Sequence, residues 1–522
     1  MSDVAVPTDT PARTFDLSRW FNLVTRRRLF WLCFVVAIIV YSQLQFWNWV
    51  ERRDPANWDY FSQVIARGGV PYRDVVNIKT PLSAYLGAAS ILIGKPFGLR
   101  DVYAIRITYA MLAALTVAFT FLVASWFFES LRIALLAALV MIGVEQFPLL
   151  SLSGAQPKTP MILFGLIALW AIIKDRPFTA GVFGMLAALS WQPGLLFVGA
   201  AGLGFSKYLT SWRDMKVAKM LAGAAVPLIL LLMHLWLGGA IKDFYHWCFH
   251  YPFSVYGPRE YTTGQGFLDR FSKLIEKPYA SDRIYFYLSI AGLLLAVARE
   301  VTLGIKHGFR AVLQLAPRHQ IIIAALVYFI FCRIDLQGEQ DIIPLLPFVA
   351  IFAAVLMVYV LDAAVKLAPS LRDTVSFIWF QRIGFAVVSA LVLFVGLTSV
   401  FSARTPPRRL KAQMADAAEL ASLLEPEDRI FIHGRTEILV LTGLQNSRKY
   451  TNLDHGKDNY LDQVEPGGFE GWFEQLKAER PKIVSLSRLK GVDHKKALVN
   501  WVESGYEGRR GKVLSYYVRK DQ

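Results

Sequence analysis

The sequence predicts a polytopic membrane protein, a mainly α-helical bundle of about eleven spanning helices with a small soluble α/β domain at its C-terminal end. Three observations lead there. Hydrophobic residues fill 55% of the 522 positions and charged residues only 18%, where a soluble domain carries roughly 25% charge. Apolar runs long enough to cross lipid recur between Leu29 and Phe401. After Arg404 the apolar runs stop, at Pro406-Pro407, and polar sequence takes over.

A spanning helix needs about 20 apolar residues, and irregular backbone is not tolerated facing lipid. The candidate spans are 29–49, 81–98, 103–127, 131–148, 159–173, 178–204, 217–238, 284–298, 320–333, 342–361 and 382–401. Pro193, after Trp191-Gln192, predicts a break within 178–204. Arg26-Arg27-Arg28 precede the first span. That span is too long for a signal-peptide core, and its basic flank places the tail 1–28 in the cytoplasm. Alternation then puts the basic stretches Lys207–Lys219 and Arg299–Arg318 inside, with the loops 51–80 and 239–282 outside. The transmembrane domain is 29–403 and the extracytoplasmic domain is 404–522. This parity hinges on the stretch 103–158.

The net charge of +16 suits anionic membrane lipids and the cytoplasmic loops that set orientation. It does not suit nucleic acid, because the basic residues form no arm or stripe. Cys33, Cys248 and Cys332 are an odd, sparse set inside or beside apolar runs, which excludes a disulfide framework. The loop 239–282 is rich in rings, among them Phe244, Trp247, Tyr251 and Tyr256. It reads as an interfacial helix, or as a wall beside a lipid or sugar site. His246 and His250 stand four apart with no acidic partner in an H-E-x-x-H pattern, so packing is expected of them. In the last domain, Leu410–Leu424 reads as an amphipathic helix. Arg429–His433, Lys482–Leu486 and Val513–Arg519 read as strands, with helices at Thr436–Leu441 and Lys495–Glu503.

The chemistry concentrates in one external loop, RRDPANWDYFSQVIARGGVPYRDVVNIKTPLSAY, from Arg52 to Tyr85. Asp54, Asp59 and Asp74 lie there among Arg52, Arg53, Arg67, Arg73 and Lys79. A carboxylate at the membrane surface can take a proton from an acceptor hydroxyl. Cations beside it can neutralise a phosphate leaving group.

Asp54, Trp58, Tyr60, Gln63, Gly68-Gly69, Pro71-Tyr72-Arg73-Asp74 and Lys79-Thr80-Pro81-Leu82 resemble the first external loop of GT-C glycosyltransferases. The nearest look is to bacterial dolichyl-phosphate-mannose-type and aminoarabinose-transferase-like enzymes. Arg106, Gly181-x-x-Gly184 and Pro344-Leu-Leu-Pro347 are similar to further family segments, so the resemblance spans residues 29–361. It implies a sugar donor linked to polyprenyl phosphate, direct inverting displacement, and a glycan, lipid or protein acceptor outside a bacterial inner membrane. Asp54 matches the family's catalytic Asp, and Asp59 is the rival base. Lys79 matches the Lys that meets the donor phosphate, with Arg73 or Arg333 beside it. Tyr60, Tyr72 and Asp74 are expected to orient the loop or touch ligand.

The chain also departs from the family. Gln156-Pro157-Lys158 stands where a second carboxylate is common, Asn77-Ile78 precedes Lys79, and Gln340-Asp341 replaces His-Tyr. The family leaves a divalent metal open, but these changes remove its usual acids, and the cluster Arg333, Asp335, Glu339 and Asp341 is the remaining alternative. The rival functions are a transporter or flippase of lipid-linked sugars and a catalytically inactive scaffold with the same fold. A transporter predicts matched broken helices in two halves, and the sequence offers one broken helix.

Overall fold

A computed structural model describes residues 17–197, 199, 215–260, 266–307, 318–367, 374–402 and 408–520. Among the described residues, each apolar stretch read from the sequence lies mainly on helix. Six helices are long and apolar enough to cross a membrane, and five apolar helices are shorter, at 10–17 residues. The first half runs α1 Leu17–Ser42, α2 Arg53–Ala66, α3 Leu82–Gly94, α4 Asp101–Phe127, α5 Leu131–Gly143, α6 Gln146–Ser151, α7 Lys158–Ile173 and α8 Pro177–Ser190. The second half adds helices Lys216–Leu237, Arg283–His307, Arg318–Ile334, Leu346–Leu367 and Thr374–Ser402. The expected break is present. α8 ends at Ser190, Trp191 is extended, and a 3-10 turn covers Gln192–Gly194. The rest of the expected span 178–204 lies mostly outside the described residues.

α4 is the centre of the bundle. Ala110, Ala113, Ala114, Val117, Ala118, Phe121 and Ala124 are all buried along it. Small side chains at these positions let neighbouring helices approach closely, which is how helices pack where lipid gives no hydrophobic drive. One close approach is between α5 and helix Thr374–Ser402, where a methyl group added to Gly143 would collide with the backbone of Gly396. Outward faces stay apolar and exposed, as at Trp31, Val35 and Ile39 on α1 and Leu391 and Phe394 near the end of the chain's helical part. That outward apolar surface accounts for the high hydrophobic fraction. The three cysteines are free and buried.

The C-terminal part opens with helix Arg408–Ser422 and carries a four-stranded sheet ordered β1-β2-β4-β3. β1 Ile430–His433 pairs in parallel with β2 Ile483–Leu486, Ile430 facing Ile483. β4 Ser515–Arg519 runs antiparallel to β2 and to β3 Tyr506–Arg510. β3 was not expected from the sequence. Its residues YEGRR are exposed after the first, as suits a charged edge strand that must not pair further. Helices Lys457–Val464 and Gly468–Ala478 also went unread.

α2 seats this domain. Asn446 N–H donates to the Tyr60 hydroxyl at 2.9 Å, Thr436 donates to Asn57 at 2.7 Å, and Gln63 donates to the Val440 carbonyl at 3.0 Å. Gln413 binds both backbone groups of Glu51, at 2.9 and 3.0 Å. Below them Arg106 of α4 is fully buried. Its guanidinium donates to the carbonyls of Phe46 and Trp49 at 3.1 and 2.8 Å and to the Glu51 carboxylate at 2.8 Å. Removing one partner of such a pair strands a charge in low dielectric. Arg106→Met is expected to cost about 3–5 kcal/mol. Arg106→Met combined with Glu51→Gln should cost less, and thermal denaturation in detergent reads both.

Candidate active site

Two cavities meet at Asp54, Gln340 and Arg488, with volumes of about 400 and 210 Å³. The larger is walled by Trp49, Leu150 and Ile343. The smaller is walled by Asn77, Lys79, Gln156, Tyr256 and, from the C-terminal domain, Asn452, His455 and Lys457. Asp54 stands in the first turn of α2, half-exposed, where a carboxylate suits the positive end of a helix. Both Arg488 nitrogens donate to its Oδ1 at 3.2 Å. Arg488 follows β2 with its backbone in the left-handed region, at φ 55°.

Lys79 is set at the floor of the smaller cavity by its loop. The Tyr72 hydroxyl donates to the Lys79 carbonyl at 2.8 Å, Gln192 donates to the Ile78 carbonyl at 2.9 Å, and Thr80 donates to the Ala188 carbonyl at 2.8 Å. Its ammonium lies 5.0 Å from the Trp191 ring centre, and the Lys158 ammonium lies 4.6 Å from the same ring. Lys158 pairs with Asp341 at 3.0 Å. Lys79 has no ion-pair partner among the described residues. Loss of water around the ammonium, and then Lys158 nearby, hold its pKa down at about 8. Asp335, close to the same lysines, is pushed up to about 6 by burial and by Asp341.

Asp59 sits elsewhere. It is fully buried, accepts from Ala155 N–H at 2.7 Å, and lines neither cavity. Gly154, at φ 151°, lets the turn pass so close that a side chain there would press on the Asp59 carboxyl. Burial, and then the neighbouring Glu51, hold the Asp59 pKa well above the carboxylate range, and burial raises Glu51 too. Asp59 Oδ2 and Glu51 Oε1 have no other partner, and one proton between the acids satisfies both. Asp59 therefore fixes the turn that delivers Gln156 and Lys158.

The remaining expected residues divide in the same way. Tyr60 and Tyr72 are buried and serve as braces. Arg73 is exposed and makes a two-nitrogen pair with Asp74 at 2.8 Å, and it also donates to the Gly238 carbonyl. Asp74 in turn accepts from Val70 N–H at 2.7 Å. Arg333 is exposed at the end of its helix and lines neither cavity. Gln340 lines both, and Asp341 is tied to Lys158 and to the N–H groups of Gln337 and Gly338. Sequence reasoning did not select Arg488 or Trp191, and it noted Lys158 only as a departure. Arg488 lies 434 residues from Asp54 along the chain, so no local pattern signals it.

The aromatic loop forms a wall. Trp247 and Tyr251 are buried against Tyr460, whose hydroxyl meets both His246 and His250, at 3.0 and 2.8 Å. Those histidines pack and hydrogen-bond as expected. Among the described residues no three His, Cys, Asp or Glu side chains gather to hold a metal ion. Asp54 is held by Arg488 and Asp341 by Lys158.

Three solved structures share this fold. ArnT from Cupriavidus metallidurans bound to undecaprenyl phosphate superposes with a TM-score of 0.61 at 14% identity, over 94% of this chain and 99% of that one. The Archaeoglobus fulgidus oligosaccharyltransferase in complex with Zn and sulfate gives 0.55 at 15% identity, over 93% and 73% of the two chains. The oligosaccharyltransferase AglB of that organism, in complex with an inhibitory peptide and a dolichol-phosphate, gives 0.55 at 13%, over 97% and 75%. No family model and no curated protein matches the chain.

The buried acids predict a pH dependence. A carboxyl whose pKa is raised by folding stabilises the fold while protonated, and that stability is lost as pH rises through its folded pKa. Asp59 is raised, and Asp282 is pushed up to about 7 by burial. The melting temperature in detergent is expected to fall as pH rises from the ordinary carboxyl range through about 7, the value for Asp282. Asp59→Asn has no such proton to lose, so its melting temperature should fall less over that range.

Proposed function

We propose that this protein transfers a sugar from a polyprenyl-phosphate-linked donor to a hydroxyl acceptor at the outer face of a bacterial inner membrane. The observation that carries the reading is the unpaired ammonium of Lys79, beside Lys158 on Trp191, at a cavity that also presents Asp54. A desolvated cation with carboxylates near but none in ion-pair contact is a site for a phosphate. Polyprenyl phosphates bound to two of the structures of like fold support the same donor class.

The acceptor oxygen attacks the anomeric carbon. The bond from that carbon to the phosphate oxygen breaks, and its electron pair leaves with the lipid phosphate. Lys79 and Lys158 offset the charge that develops. Both Arg488 bonds use Oδ1 of Asp54, which leaves Oδ2 to take the acceptor's proton. The C-terminal domain supplies Asn452, His455 and Lys457 to the acceptor side. Asp59 and Tyr72 are positioning residues in this scheme, acting through the turn at 154–158 and through the Lys79 carbonyl.

Radiolabelled polyprenyl-phosphate sugars offered to reconstituted protein test the reading. Asp54→Asn is expected to lose transfer by roughly 10²–10⁴-fold, while Asp59→Asn keeps most of it. Loss in Asp59→Asn alone would move the base by one turn and a half of helix. Wild type that releases no sugar yet carries lipid-linked sugar across the bilayer would make the protein a transporter. A second expectation concerns pH. Lys79 is charged below its pKa of about 8, so affinity for polyprenyl phosphate should fall as pH rises through that value. Lys79→Met should bind more weakly and lose that limb of the profile.

A further inference from the structure

A second group of cations lies at the opposite end of the bundle, and the transfer scheme does not use it. α4 begins beside α2, where Gln63 donates to Asp101 at 2.8 Å, and its 27 residues end at Phe127. A helix of that length extends about 40 Å. α7 begins at Lys158, in the candidate active site, and ends at Ile173. α8 ends next to Trp191 and begins at Pro177. The end of α4, the end of α7, the start of α8 and the early turns of α1 thus meet on the far side.

A cavity of about 470 Å³ opens there among Arg26, Arg27, Lys174, Arg176, Trp126 and Trp170. The Lys174 ammonium lies over the Trp126 ring, the Arg26 guanidinium stands 4.1 Å from the same ring centre, and Arg176 stands 5.7 Å from that of Trp170. None of the four cations pairs with a carboxylate among the described residues. The adjacent Asp175 is taken by Lys216 at 2.7 Å. Two buried donors, Arg26 Nε and Trp170 Nε1, have no acceptor. Loss of water, and then the charges of Arg26 and Arg176, hold the Lys174 pKa down at about 8.

Cations that merely set membrane orientation are solvated and spread through loops. Here Arg26 and Lys174 are half-buried, the exposed Arg27 and Arg176 converge with them on one cavity, and buried donors are left unmet. Each of those costs is relieved by a single anion. The mouth of the cavity is apolar, at Phe30, Trp31 and Leu122. Trp31, Val35 and Ile39 then expose one apolar face along successive turns of α1. A phosphate in the cavity and hydrocarbon along that face fit the same molecule.

We propose that this cavity binds the phosphate headgroup of an anionic membrane lipid, with its acyl chains along the exposed face of α1, in the leaflet opposite the candidate active site. The site does not rest on the transferase reading, and sugar transfer is not its readout.

Native mass spectrometry of the full chain, released from detergent containing phosphatidylglycerol, is the test. Wild type is expected to retain the lipid at least about tenfold more strongly than Arg26→Gln combined with Lys174→Gln. Arg299→Gln combined with Arg382→Gln removes the same charge elsewhere and should bind like wild type. Equal retention by wild type and the cavity variant overturns the proposal, as does an equal loss in the charge control. Competition by soluble glycerol phosphate at the lipid's own concentration would make this a free-phosphate site and overturn the lipid assignment. If the double variant does not fold, Arg176→Gln, at an exposed position, carries the comparison.

Discussion

Much of this molecule hangs on the buried pair between Arg106 and Glu51. A guanidinium taken out of water is tolerated only when its donors are met. Here two carbonyls and a carboxylate meet most of them. Those acceptors all belong to the strap that runs from α1 to α2, so the pair fastens that strap to the central helix. Glu51 in turn shares its environment with Asp59, and Asp59 holds the turn before α7. One ionic contact therefore sets the spacing between Asp54 at the head of α2 and Lys158 at the head of α7.

The candidate site is built at a seam. The membrane helices supply Lys158, the broken end of α8 supplies Trp191, the first turn of α2 supplies Asp54, the loop after α2 supplies Lys79, and the C-terminal domain supplies Arg488. Its charges are arranged with unequal satisfaction. Lys158 and Asp341 neutralise each other, whereas Lys79 has cation–π contact and no counter-ion. That imbalance is the electrostatic basis for expecting an anion there, and it arises because Asn77-Ile78 put no acid in front of Lys79. At the far end of the same helices the imbalance is larger, with Arg26, Arg27, Lys174 and Arg176 together.

The helices were legible because lipid imposes one rule, a run of apolar residues closed by polar ones, and among the described residues such runs are mainly helix. The break at Trp191 was legible through Pro193. Asp54 and Lys79 could be selected because they lie in one short loop with a family pattern. What sequence did not disclose was long-range. Arg488 approaches Asp54 only after the whole bundle has folded. Arg73 and Asp74 looked available for ligand, yet adjacent opposite charges found each other first. Asp59 was the rival to Asp54 as base, and its complete burial, away from both cavities, could not be read from the loop sequence. β3 was invisible because its charged, glycine-containing stretch has the composition of a loop.

The seating of the C-terminal domain on α2 carries a consequence for how such chains diversify. Asn57, Tyr60 and Gln63 occupy one helix, and their partners Thr436, Asn446 and Val440 come from a segment nearly four hundred residues later. The two segments are separate in the gene but a single unit in space. A domain exchanged between related chains would arrive without its matching helix and leave polar groups stranded at the join. Selection should therefore treat α2 and the sheet domain as one heritable module, free to vary together and constrained to vary little apart.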